Sequence, residues 1–115
     1  MDLTYHGTPT EYFDLLDPDE PYVPPDFARE GFIHCTDGDA RLADTLTEHY
    51  GHEPGDWLVL YIDKDKVTPP IRYEDPGRVF PHIYGPLNRD AIAVVCPIMR
   101  ASDGTFLLPQ RFVLD

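Results

Sequence analysis

Positive charge is scarce in this sequence. Nine lysines and arginines stand against 21 aspartates and glutamates in 115 residues, for a formal net charge of −12. General binding to DNA or RNA needs basic surface to neutralise phosphates, so the balance argues against a nucleic-acid partner. Serine is nearly absent. Ser102 stands alone beside a turn, without the context of a nucleophilic serine. Cysteine is limited to Cys35 and Cys96, both in apolar stretches and neither with a partner at metal-ligand spacing, so both read as buried free thiols. No run approaches the ~20 apolar residues of a membrane helix. The N-terminus lacks a basic segment followed by an apolar core. The expectation is a cytoplasmic protein with no membrane partner. HExxH, P-loop and GxGxxG patterns are all missing, and no metal site is expected.

What is present fits one compact domain over residues 1–115, with 42% apolar residues and no repeat or linker. Residues 3–7 read as a first strand. A short helix follows from Thr10, with Thr8 or Thr10 as its N-cap. Four prolines between positions 17 and 25 make that stretch an acidic loop. Residues 26–30 read as one helical turn and 32–35 as a short strand. Ala40, Leu42, Ala43, Leu46 and Tyr50 follow a 3.6-residue period, predicting a helix over 37–50 that Gly51 ends. The run 57–62 is apolar on both faces and reads as a central strand. Further strands are expected at 71–74 and 91–98. Asp103-Gly104 signals a hairpin into 105–108, with the chain end as an edge strand or tail. The pattern is α+β, with two short helices early and then mostly antiparallel strands.

Three histidines sit in marked contexts. His6 closes the first strand and is followed by Gly7 and Thr8, where a ligand could approach the backbone. Strand alternation places Phe32, His34 and Thr36 on one face and Ile33 and Cys35 on the other. Burial of Ile33 and Cys35 then turns His34 and Thr36 toward a cleft, although Thr36 also suits a helix N-cap. The string Phe80-Pro81-His82-Ile83-Tyr84-Gly85-Pro86-Leu87 is a rigid loop carrying an imidazole and a phenol. Glu74 lies just ahead of it, with Arg72 pointing the same way. His49 and His52 flank a helix end and read as structural or surface residues. Arg29, Arg41, Arg72 and Arg89 draw notice by scarcity, since any phosphate must find local help.

Tyr5-His6, Gly31-Phe32-Ile33-His34-Cys35-Thr36, the run 57–63, Arg72-Tyr73-Glu74 and the string 80–87 resemble, in order, the bacterial family called domain of unknown function 952. The usual serine after His-Cys is Thr36 here, and a common glutamine a few residues on is replaced in the Asp39-Ala40-Arg41 region. Through that family the chain resembles the ADP-ribosyltransferase-like superfamily, and Tyr5-His6-Gly7-Thr8 is similar to the RNA 2′-phosphotransferase branch. The resemblance implies a split, mostly antiparallel sheet and a cleft for NAD or an ADP-ribose-containing nucleotide. His6, Gly7, Thr8, His34, Thr36 and Tyr84 would bind it, with Tyr22 or Tyr84 stacking on a ring. His34, Glu74 and His82 would be the catalytic residues. The acidic surface argues against RNA as substrate. A non-catalytic metabolite-binding module on the same fold is the alternative.

Overall fold

In the computed structural model, residues 1–107 are described. The protein is an α+β domain of two three-stranded antiparallel sheets. The first sheet joins β1 (Leu3–Pro9), β3 (Trp57–Asp63) and β6 (Ile92–Ile98), with β3 in the middle. The second joins β2 (Ile33–His34), β5 (Pro81–Ile83) and β4 (Ile71–Tyr73), with β5 in the middle. Three α-helices complete the fold: α1 (Thr10–Asp14), α2 (Phe27–Glu30) and α3 (Asp39–Tyr50).

All seven residues of β3 are buried. A strand covered on both faces needs an apolar residue at every position, which the run Trp57-Leu58-Val59-Leu60-Tyr61-Ile62 supplies. Trp57, Val59 and Tyr61 pack with Leu42, Ala43 and Leu46 of α3 in one core. Leu60 and Ile62 pack with Ile33, Ile83, Leu87 and Tyr22 in the other. β3 is therefore the partition between two cores, one roofed by α3 and the other by the second sheet.

Several local expectations change. Neither Thr8 nor Thr10 caps α1; Pro9 holds the N-cap position and no side chain caps it. Thr36 does not cap α3, which begins after Gly38. Its backbone is engaged instead with Tyr5: N–H to carbonyl distances of 2.9 and 2.8 Å join β1 to the chain just past β2. The flanking Cys35 and Asp37 amides donate the other way, to the Pro81 and Val79 carbonyls, and β2 itself is shorter than the expected strand over 32–35. Gly51 does not end α3 by a left-handed turn, since its φ is −59°. The helix end is closed by Arg100, whose guanidinium donates to the carbonyls of Gly51 at 3.0 Å, Glu53 at 2.6 Å and Gly104 at 3.2 Å. Gly104 itself must be glycine. Its φ is +95°, and a Cβ there would stand 1.9 Å from the Gly51 carbonyl oxygen. The expected hairpin forms, with Arg100 bridged to Phe106. Leu108 and the expected terminal strand or tail lie outside the described residues.

Leu60 is fully buried at the partition. Leu60→Ala should cost about 2–5 kcal/mol, read by urea denaturation with an unchanged m-value. A loss below about 1 kcal/mol would refute the two-core packing.

Candidate functional site

The second sheet sorts its side chains by register. Ile33, Ile83 and Ile71 are cross-strand partners in one row, and His34, His82 and Arg72 in the next. Alternation sends the isoleucine row inward, where Ile33 and Ile83 are fully buried, and the His34–His82–Arg72 row to the opposite face. Phe32, Tyr84 and Glu74 share that outer face by the same period. Phe32 stacks on His82 with ring centroids 4.2 Å apart and an interplanar angle of 15°. His34 meets His82 edge-on at 5.2 Å.

Each imidazole has its own glutamate. His34 Nε2 lies 3.0 Å from Glu30 Oε2, at the end of α2. His82 Nδ1 lies 3.5 Å from Glu74 Oε1, too far for a hydrogen bond, and is buried without a partner. The Tyr84 hydroxyl donates to the same Glu74 oxygen. Arg72 and Glu74 share this face as alternation implies but form no ion pair among the described residues. The Arg72 guanidinium instead lies over the Tyr84 ring, 5.2 Å from its centre.

The outer face runs into a cleft of about 690 Å3 between α2, α3 and the seam of the two sheets. His34, Thr36 and His82 line it, as do Gly7 and His49. Four carboxylates stand along it: Asp26, Glu30, Glu48 and Asp75. Asp75 is held below the usual carboxylate range, chiefly by the Val79 amide, which donates to Oδ2 at 2.9 Å. Arg29, the guanidinium in the lining, is 3.4 Å from Asp26.

His34 and His82 thus come together, and His6 also lines the cleft, at its buried base. His6 is buried, with Nδ1 2.6 Å from the His34 carbonyl oxygen and Nε2 2.7 Å from the Tyr22 hydroxyl. A neutral ring satisfies both, donating from Nδ1 and accepting at Nε2. With both nitrogens engaged, His6 has none left for a ligand and instead sets the backbone beneath His34. Burial holds its imidazole at about 4, against an ordinary 6.5, although the bond to the His34 carbonyl works the other way. Gly7 lines the cleft, but the close approach it permits is that of Leu46: a Cβ at Gly7 would lie 2.8 Å from that side chain. Thr8 is buried and outside the cleft lining. Tyr22 is fully buried in the core, so it offers no ring to stack on. Tyr84 and Glu74 lie on the outer face beside the cleft, not in its lining.

Glu30 was missed as a site residue. Its spacing of four from His34 is the only signal, and the left-handed Gly31, φ +80°, lies between them. His49, expected on the surface, is exposed but belongs to the cleft rim. Cys35 and Cys96 are buried free thiols.

The family described as a protein of unknown function (DUF952) matches residues 8–95. The chain belongs to this family. Two crystal structures of protein CC0527 from Caulobacter crescentus, one of them a doubly substituted variant, are similar to it. Each aligns with a TM-score of 0.73 at 19% identity, over 94% of this chain and 93% of that one. At this identity the likeness is one of fold. No curated protein matches the sequence. No helix among the described residues is long and apolar enough to cross a membrane.

The buried His6 makes stability depend on pH. The unfolded imidazole titrates near 6.5 and the folded one at about 4. Between these values the unfolded chain binds more protons, so stability falls as pH drops through that window, by about 3 kcal/mol in full. Urea denaturation across the window should show this slope in the native protein and lose it in His6→Asn. Ring NMR checks the cause directly: His6 stays neutral at about pH 5, whereas a midpoint near the ordinary value would contradict it. Tyr22→Phe leaves His6 Nε2 buried without a partner and should cost about 1–3 kcal/mol in the same assay.

Proposed function

We propose that this protein binds NAD or an ADP-ribose-containing nucleotide in the histidine-lined cleft and transfers or hydrolyses its ADP-ribose. One observation carries the reading: two imidazoles meet edge-on at 5.2 Å at the cleft rim, each beside its own glutamate. The cleft volume of about 690 Å3 suits a nucleotide-sized ligand. A split, mostly antiparallel pair of sheets is also what a resemblance to ADP-ribosyltransferase-like proteins implies, and the cleft lies along the seam.

The chemistry follows from the side chains. In the reaction the C1′–N bond to nicotinamide breaks, and its electron pair leaves with the ring. A C1′–O bond forms to an acceptor, water or a hydroxyl. His82 takes the acceptor's proton, and Glu74 offsets the charge that the imidazolium acquires. His34, oriented by Glu30, holds a ribose hydroxyl with Thr36 beside it. Positive charge develops at C1′, and carboxylates along the cleft lower its cost in a site partly withdrawn from water. His6 contributes by placing His34.

A non-catalytic metabolite-binding module is the second reading, and one observation favours it. Glu74, the carboxylate that the resemblance offers for catalysis, already accepts from Tyr84 and lies outside the cleft lining. Incubation with NAD and chromatography of nicotinamide separates the two. Release by the native protein, reduced about 100-fold or more in His82→Ala and also lowered in His34→Ala, is the expected outcome. Binding by saturation-transfer NMR without release would favour the module. No binding of NAD, ADP-ribose or AMP would overturn the reading.

A further inference from the structure

The register of the second sheet points to an anion subsite centred on Arg72, at the outer end of the His34–His82–Arg72 row, taking the phosphate groups of the nucleotide. The inference rests on the proposed function for the identity of the nucleotide and on the strand register for the subsite itself.

His82 on the middle strand is the direct cross-strand partner of both His34 and Arg72, which flank it from the two outer strands. Cβ atoms of direct partners lie about 4.5–5.5 Å apart, a spacing at which Arg72 and the His82 ring can meet one anion. Four of the scarce cations elsewhere are engaged by ion pairs or backbone carbonyls, while exposed Arg78 lies over the Tyr73 ring much as Arg72 lies over Tyr84. Arg29 pairs with Asp26, Lys64 with Asp37, Arg89 donates to the Glu20 and Asp17 carbonyls, and Arg100 holds the end of α3. Arg72 is the cation in the row itself. It is exposed and forms no ion pair among the described residues, and its guanidinium lies over the Tyr84 ring, which leaves its N–H fork free for a bidentate oxyanion.

The facing charges set the pH dependence. Glu30 of α2 faces His34, Glu74 beyond β4 faces His82, and Asp75 acts on His82 from the following turn. With neutral imidazoles these carboxylates outweigh Arg72 and repel an anion. Asp26 and Glu48 of the cleft add to that excess, and His49 and Arg29 stand on the same lining. Protonating the imidazoles lowers the excess, so the subsite strengthens as the solution becomes more acidic. Arg72 is a binding residue here and takes no part in bond breaking.

The test is an NMR titration of the native protein with inorganic pyrophosphate, reading the His34 and His82 ring resonances at about pH 6 and about pH 8. Both rings should shift at the lower pH, with affinity weaker about tenfold or more at the higher. Arg72→Gln should lose about tenfold at the lower pH, the effect of one charge-assisted contact, and Arg72→Lys should recover part of it. Circular dichroism guards against misfolding, which an exposed position should not provoke. Unmoved histidine rings, or native affinity in Arg72→Gln, would overturn the subsite. NAD serves as the second titrant. NAD bound equally by native protein and Arg72→Gln removes the subsite and leaves the proposed function standing. A pyrophosphate response without NAD binding upholds the subsite and removes the NAD reading.

Discussion

The fold turns on a short seam where the two sheets meet. β1 gives one edge to β3 and uses the other to bond Thr36 at a single position, Tyr5. One residue on, His6 sends its ring across the same gap and joins the His34 carbonyl to the Tyr22 hydroxyl. These contacts hold β2 and the loop over the second core in one arrangement. Because the imidazole is buried and neutral, it links the sheets without the cost of a buried charge. The cleft exists because the sheets are joined at this seam and separate beyond it.

The partition strand explains how so small a chain supports two cores. β3 pairs on both edges and packs on both faces, so its residues serve α3 and the second sheet at once. The second sheet has short strands, and only its inner row is apolar. Its outer row is thereby released for polar and aromatic side chains. Stability and site are divided by the pleat: odd positions at 33, 71 and 83 hold the core, and even positions at 34, 72 and 82 face outward.

Electrostatically the site runs against its surroundings. The chain is strongly acidic, and carboxylates line the cleft. Among the arginines, Arg100 and Arg89 hold backbone carbonyls in place and Arg29 answers a neighbouring aspartate. On the outer face His34, His82 and Arg72 form one row beside these carboxylates.

Much of this was legible in the sequence. The central strand showed as an unbroken apolar run, α3 as a 3.6-residue period, and the outward turn of His34 as simple alternation. Two-residue periodicity also placed Arg72 and Glu74 on a common face. Periodicity describes one element against an unspecified environment, so it names the faces and not their neighbours. It could not show that both ring nitrogens of His6 are engaged within the protein, where the ring braces the backbone of His34. Nor could it tell that Gly7 makes room for Leu46, that Arg100 holds the carbonyls beyond the Gly51 cap of α3, or that Glu30 reaches His34 across a left-handed glycine. Each of these is a contact between segments distant in sequence or turned by a special backbone angle. The sequence by itself determined the elements, their buried faces and the acidic character. Tertiary structure decided which two of three histidines meet, because strand pairing and the seam set distances that no local pattern encodes.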